Sequence, residues 1–271
     1  MQIRKILAAV KPTSPEPHPL CAALELAGRA DARVTVLAVT ESPWELLGPA
    51  PEGPGAAMSS RGELVALGAA RLRDRLQPLV PPQFGKRMQV QAAIGLPAIE
   101  IPRRAESEGT DLIVLGRDAS SRMPRVDGAD TIEGTVRRAR VPCLLVPQGG
   151  TPFRRILAAV DGGPETEDVI AAAQLFGSLF GASVRALEVE TRALAGVGAA
   201  TGALHVHPGA CEVVVRAGDP VTEIVRMVRE DAIDLLVFGH HRGGPVGAHA
   251  TSGVAPRLLQ RAPCAVLTVP I

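Results

Sequence analysis

The chain has 271 residues, 46% of them hydrophobic and 21% charged, with a formal net charge of +1. That balance describes a soluble globular protein of one large or two ordinary domains and excludes a disordered acidic or basic chain. Near neutrality removes the general reason to expect DNA or anionic membranes as partners, and 2% aromatic residues without a tyrosine leave no stacking surface for single-stranded nucleic acid.

The amino-terminal run is too short, and too soon followed by Lys11 and Pro12, to be a secretory core, and reads as a first strand over 3–10. Short apolar, β-branched runs recur at 33–39, 87–93, 111–115 and 142–146, with helical periodicity over 17–30, 61–77, 97–109 and 130–140. Residues 41–60 are dense in proline and glycine and read as a loop, which Trp44 is expected to anchor into its own domain. Strands that are apolar throughout and alternate with helices imply a parallel sheet covered on both faces. The pattern then starts again, with strands near 154–160, 183–189, 211–216, 234–238 and 265–269 and helices near 165–179, 220–231 and 252–260. No run approaches the roughly 18 apolar residues of a spanning helix, so a cytoplasmic location without a membrane partner is expected. Cys21, Cys143, Cys211 and Cys264 lack metal-ligand spacing and read as packing thiols.

The second half repeats the first in detail. Arg4-Lys5-Ile6-Leu7-Ala8-Ala9-Val10 returns as Arg154-Arg155-Ile156-Leu157-Ala158-Ala159-Val160, and Asp111-Leu112-Ile113-Val114-Leu115-Gly116 as Asp234-Leu235-Leu236-Val237-Phe238-Gly239. Val141-Pro142-Cys143 matches Ala262-Pro263-Cys264. The interval shrinks from the first match to the last, which indicates duplication followed by a deletion, most of it between Val189 and Cys211. Two domains follow, 1–148 and 152–271, joined at Gly149-Gly150-Thr151. Where the first has the 61–77 helix, the second has only a short, irregular remnant over 191–200.

Open parallel sheets bind ligands beyond the carboxyl ends of their strands, where strand order reverses. In the second copy Asp161-Gly162-Gly163 and Gly239-His240-His241-Arg242 face that crevice, and the helix starting near Ser252-Gly253-Val254 presents free N–H groups to an anion. Asp161 either contacts a ligand or braces the turn before the next helix. The first copy has Lys11 in place of Asp161 and fewer glycines after its fourth strand, where Arg117, Arg122 and Arg125 form a basic run read as a solvated loop. His205, His207, His240, His241 and His249 have no cysteine or acidic partner at metal-site spacing, so neither a metal site nor a catalytic residue is assigned.

These matches resemble a tandem universal stress protein, and the resemblance covers nearly all of both halves. It implies two doubly wound α/β domains, each with a five-stranded parallel sheet of order 3-2-1-4-5, and a non-catalytic, stress-associated role. In the nucleotide-binding members an acid follows the first strand, a Gly-x-x-Gly stretch follows the fourth, and a Gly-Ser or Gly-Thr pair comes later. Asp161 matches the acid, Val189 the backbone contact to adenine and Gly239 the first glycine; Arg242 replaces the second glycine, and Ser252-Gly253, followed by Val254, carries the pair reversed. The resemblance thus implies ATP with Mg2+ as the ligand of the second copy and disfavours it for the first. The alternative is a nucleotide-free scaffold acting through protein contacts. The uncharged run 264–269 is expected to pair with 143–146 inside the chain, while a homodimer of such chains stays open.

Overall fold

A computed structural model describes residues 2–14, 17–47, 60–117, 131–149, 152–190, 211–241 and 253–271. The chain divides into two compact units, Gln2–Val141 and Pro142–Ile271. The first holds strands β1 (Lys5–Val10), β2 (Arg33–Thr40), β3 (Met88–Ile94) and β4 (Leu112–Arg117). Its helices are α1 (His18–Ala30), α2 (Pro43–Leu47), α3 (Arg61–Leu76), α4 (Pro97–Glu108) and α5 (Thr131–Arg138). β1 pairs in parallel with both β2 and β4, and β2 pairs with β3, giving the order β3-β2-β1-β4. Leu7, Ala8, Val36 and Val114 have no exposed surface, as strands covered on both faces require.

The second unit begins with β5 (Cys143–Pro147), followed by β6 (Arg155–Val160), α6 (Thr166–Phe180), β7 (Ser183–Glu190) and β8 (Glu212–Ala217). It ends with α7 (Pro220–Glu230), β9 (Leu235–His240), α8 (Val254–Arg261) and β10 (Ala265–Pro270). The order β8-β7-β6-β9-β10 is the doubly wound 3-2-1-4-5 arrangement expected from the sequence. β5, the fifth strand of the first repeat by sequence, pairs antiparallel with β10 through Val266↔Leu145, Leu267↔Leu144 and Thr268↔Cys143. The uncharged edge is therefore paired with 143–146. This pairing is also the reason the contact boundary falls at Val141 and not at the glycine-rich junction.

Two devices recur in both repeats. A carboxylate just before the fourth strand ties down the start of the first: Asp111 Oδ2 accepts the backbone N–H groups of Arg4 and Lys5 at 2.8 Å each. Asp234 does the same for Arg154 and Arg155, with shortest contacts of 2.8 and 3.1 Å. The second device is Gly95-Leu96-Pro97-Ala98-Ile99-Glu100, matched by Gly218-Asp219-Pro220-Val221-Thr222-Glu223. Gly95 (φ 152°) and Gly218 (φ 154°) turn the chain from strand to helix, and a Cβ there would meet Glu100 Cγ at 2.9 Å or Glu223 Cγ at 3.1 Å. Proline at the first helical position then starts α4 and α7, where its missing N–H costs nothing.

Three expectations are corrected. Pro43–Leu47 is a short helix inside the stretch read as loop, and Trp44 is 42% exposed, so it does not anchor that stretch in the core. Cys21 lies on the exposed side of α1, while Cys143 and Cys264 are buried; none of the four forms a disulfide, and burial pushes the Cys143 thiol up to about 12. Arg117 is the last residue of β4 and only 8% exposed, not part of a solvated loop. The remnant expected over 191–200 lies outside the described residues.

Each carboxylate tie makes two charge-assisted bonds to backbone N–H groups, a contact of about 1.5–3 kcal/mol. Asp111→Ala and Asp234→Ala should each lower unfolding free energy by about that amount in urea titrations, with the Asn variants losing less. Silent alanine variants would show that strand register does not depend on the tie.

Candidate functional site

Strand order reverses between β1 and β4 in the first unit and between β6 and β9 in the second, so each repeat has one crevice at the carboxyl ends of those strands. The described residues around the two crevices fill them differently.

In the first repeat the crevice is a cavity of about 500 Å³. Its floor is apolar, from Val10, Leu37, Val39, Ile101 and Leu115. Its polar lining comes from several segments. Lys11, Thr13 and Ser14 stand on the turn after β1, which is closed by a 3.2 Å bond from Ser14 N–H to the Lys11 carbonyl. Glu41 and Glu45 come from the segment between β2 and α2, and Thr131 and Ile132 from the start of α5. Arg75 of α3 reaches the Lys11 carbonyl at 3.5 Å.

Thr40, the last residue of β2, lines this cavity and is only 2% exposed. Its hydroxyl is buried and makes no hydrogen bond. Burying an unpaired hydroxyl costs free energy that a valine of the same shape would not cost. The sequence reading missed Thr40, although its position at the end of the second strand could have suggested it.

In the second repeat the residues picked from the sequence do converge in part. Asp161 follows β6, Gly239 lies in β9 beside it, and Val189 is near the end of β7. Asp161 is exposed, and its Oδ1 accepts the Gly163 N–H at 2.9 Å, so it braces the turn. Glu188 stands close by: a Cβ on Gly162 would meet its Oε1 at 2.8 Å. Burial, with Glu190 and Asp161 nearby, raises the Glu188 carboxyl above its usual range. Three carboxylates at one crevice oppose a polyphosphate.

The glycines at the phosphate-loop positions have another use. A Cβ on Gly239 would sit 2.9 Å from Ile271 Cδ1 and 3.4 Å from Val169 Cγ2. Ile271 is held there by its N–H bond to the His240 carbonyl, 3.0 Å. In the first repeat a Cβ on Gly116 would meet His18 Nε2 at 2.6 Å and Pro19 Cγ at 2.9 Å. Both glycines thus admit neighbouring side chains where a Cβ would stand, and Gly116 lines the first cavity. Gly253 has an ordinary φ of −76° and room for a Cβ, with Pro256 Cδ at 3.6 Å. Val254, 41% exposed, opens α8. Arg242 and Ser252, with His205, His207, His249, Arg122 and Arg125, lie outside the described residues. His240 is buried and His241 exposed. Among the described residues no group of three His, Cys, Asp or Glu side chains is placed to hold a metal ion.

The universal stress protein family model matches residues 2–147 and 189–270, nearly all of the first repeat and the later part of the second. The chain belongs to the universal stress protein family. Universal stress protein Slr1230 of Synechocystis is 25% identical over 164 residues, 58% of this chain and 57% of that protein, so the match spans little more than half of the relative. Among solved structures, a universal stress protein from Archaeoglobus fulgidus aligns with a TM-score of 0.68 at 16% identity, covering 100% of this chain and 99% of its own. The functionally unknown Pseudomonas aeruginosa protein PA1789 aligns with a TM-score of 0.68 at 19% identity, covering 99% of this chain and 92% of its own. At those identities the likeness is one of fold, a tandem pair of universal stress domains. No helix among the described residues is long and apolar enough to cross a membrane.

Two predictions follow from the geometry of the crevices. Thr40→Val should raise unfolding free energy of the ligand-free protein by about 1 kcal/mol, because it removes an unpaired buried hydroxyl; a loss of stability in thermal melts would mean the hydroxyl is satisfied. Glu188 has a folded-state pKa above its unfolded value, so its contribution is fully present below the unfolded pKa and is lost as pH rises through the folded one. Glu188→Gln should therefore raise the melting temperature at neutral pH, with the gain shrinking as pH falls through the carboxylate range.

Proposed function

We propose that this universal stress protein is a non-catalytic, stress-associated binder of an adenine-nucleotide-class ligand, and that the ligand occupies the crevice of the first repeat. The observation that carries the reading is the cavity of about 500 Å³ at the β1/β4 reversal, lined by both apolar and polar side chains. An apolar floor with a few convergent polar groups is the usual form of a small-molecule site, and this volume is large enough for a nucleoside. The second-repeat set of Asp161, Val189, Gly239, Arg242, Ser252, Gly253 and Val254 is the competing location. Of its described members, Asp161 braces the turn and Gly239 packs against Ile271, in an acidic setting.

Isothermal titration of the full chain with adenosine, AMP and Mg-ATP tests the reading, run beside Ala9→Leu, which narrows the first cavity, and Asp161→Ala. At least one adenine compound should bind saturably to the parent chain and to Asp161→Ala, with binding lost in Ala9→Leu. The reverse pattern would move the site to the second repeat. No heat and no thermal stabilisation with any of the three at millimolar concentration would leave the nucleotide-free scaffold as the function.

A further inference from the structure

We infer that the outer edge of β8 is a self-association surface, on which a second copy of this chain lays its own β8 antiparallel to the first. The inference is independent of which crevice takes a ligand. It starts from how each repeat covers its third strand. The strand-to-helix turns at Gly95 and Gly218 set Val90 and Ala92 of β3 against Val213 and Val215 of β8. In the first repeat α3 packs on β3, and Val90 and Ala92 are buried. Among the described residues of the second repeat no helix takes the place of α3, and Val215 is 56% exposed.

Ladder geometry fixes what β8 offers. Arg216 bonds Glu230 of α7 at 3.0 Å, so Glu212, Val214 and Arg216 share the α7 face and Val213, Val215 and Ala217 the opposite one. The Gly218 N–H bonds the Glu190 carbonyl of β7 at 3.0 Å. Backbone direction alternates with the same period, so the even-numbered residues of β8 bond β7, while the N–H and C=O groups of Val213 and Val215 point outward. Among the described residues no strand pairs with that edge, which ends the sheet order. Outward backbone groups beside an exposed valine are a template for another strand.

Two identical edges that close on each other do so about a two-fold axis, and are therefore antiparallel. Of the registers that set outward residues opposite outward residues, the one centred on Val214 places Glu212 of each copy opposite Arg216 of the other. Both charges are already ordered, Glu212 by Arg185 at 3.1 Å and Arg216 by Glu230. On the other face the same register sets Val213 opposite Val215 twice. The adjacent registers oppose Glu212 to Val214 or to Gly218 and lose both charge pairs. A strand of six residues buries less than a standard dimer interface, so the association is weak and concentration-dependent.

Sedimentation equilibrium of the full chain, from micromolar to near-millimolar concentration, should show a reversible dimer. Val215→Lys should weaken it by roughly 10-fold or more, since the change enters the interface twice, without lowering the melting temperature. Val254→Lys, at the exposed start of α8, should leave it unchanged. With Cys21 and Cys211 replaced by serine, mild oxidation of Val214→Cys should lock a covalent dimer, because the two copies of that position form a non-hydrogen-bonded pair with Cα atoms about 4.5 Å apart. Val213→Cys in the same background should not, because it faces Val215. A monomer at every concentration would overturn the inference. So would a dimer that Val254→Lys weakens as much as Val215→Lys does, or one that Val214→Cys fails to lock, either of which would put the contact on another surface.

Discussion

The carboxylate that precedes the fourth strand of each repeat fixes the geometry on which the crevices depend. β1 and β4 are neighbours separated by more than a hundred residues of chain, and Asp111 joins them through the N–H groups of Arg4 and Lys5, where β1 begins. Asp234 joins β6 and β9 in the same way. A slip of one residue between parallel strands would turn every side chain to the opposite face of the sheet. With the starts of the two strands pinned, their carboxyl ends finish together, and Val10 and Leu115 come to line one wall of a cavity.

From that shared frame the two repeats diverge through what fills the ground at the strand reversal. In the second, Ile271 and Val169 pack onto Gly239, and Asp161, Glu188 and Glu190 gather at the ends of β6 and β7. In the first, His18 and Pro19 cover Gly116, yet a cavity persists beneath Lys11 and beside Thr40. Among the described residues, a cavity is lined in the repeat that has Lys11 where the other has Asp161.

Much of the fold was legible in the sequence because it is written in periodicity. All ten strands fall within a few residues of the apolar runs, and the pairing of 264–269 with 143–146 follows from an uncharged edge that must be covered. The Gly95-to-Glu100 and Gly218-to-Glu223 match was also present as a repeat, but its meaning needs the φ values and the contact between glycine and glutamate. Trp44 and Cys21 were misjudged for one reason: composition says a residue is apolar, not which side of its helix meets the core.

The sequence by itself determined that the chain is a tandem α/β protein of the universal stress family, because strand and helix periods and a repeated motif order survive without any knowledge of contacts. It also identified the ends of the strands where a ligand would sit. What surrounds each motif residue was decided only in three dimensions. A motif residue such as Gly239 or Asp161 is the same letter whether it meets a ligand, an isoleucine side chain or its own backbone. The difference lies in contacts between segments far apart in the chain, such as Ile271 beside Gly239 and His18 beside Gly116.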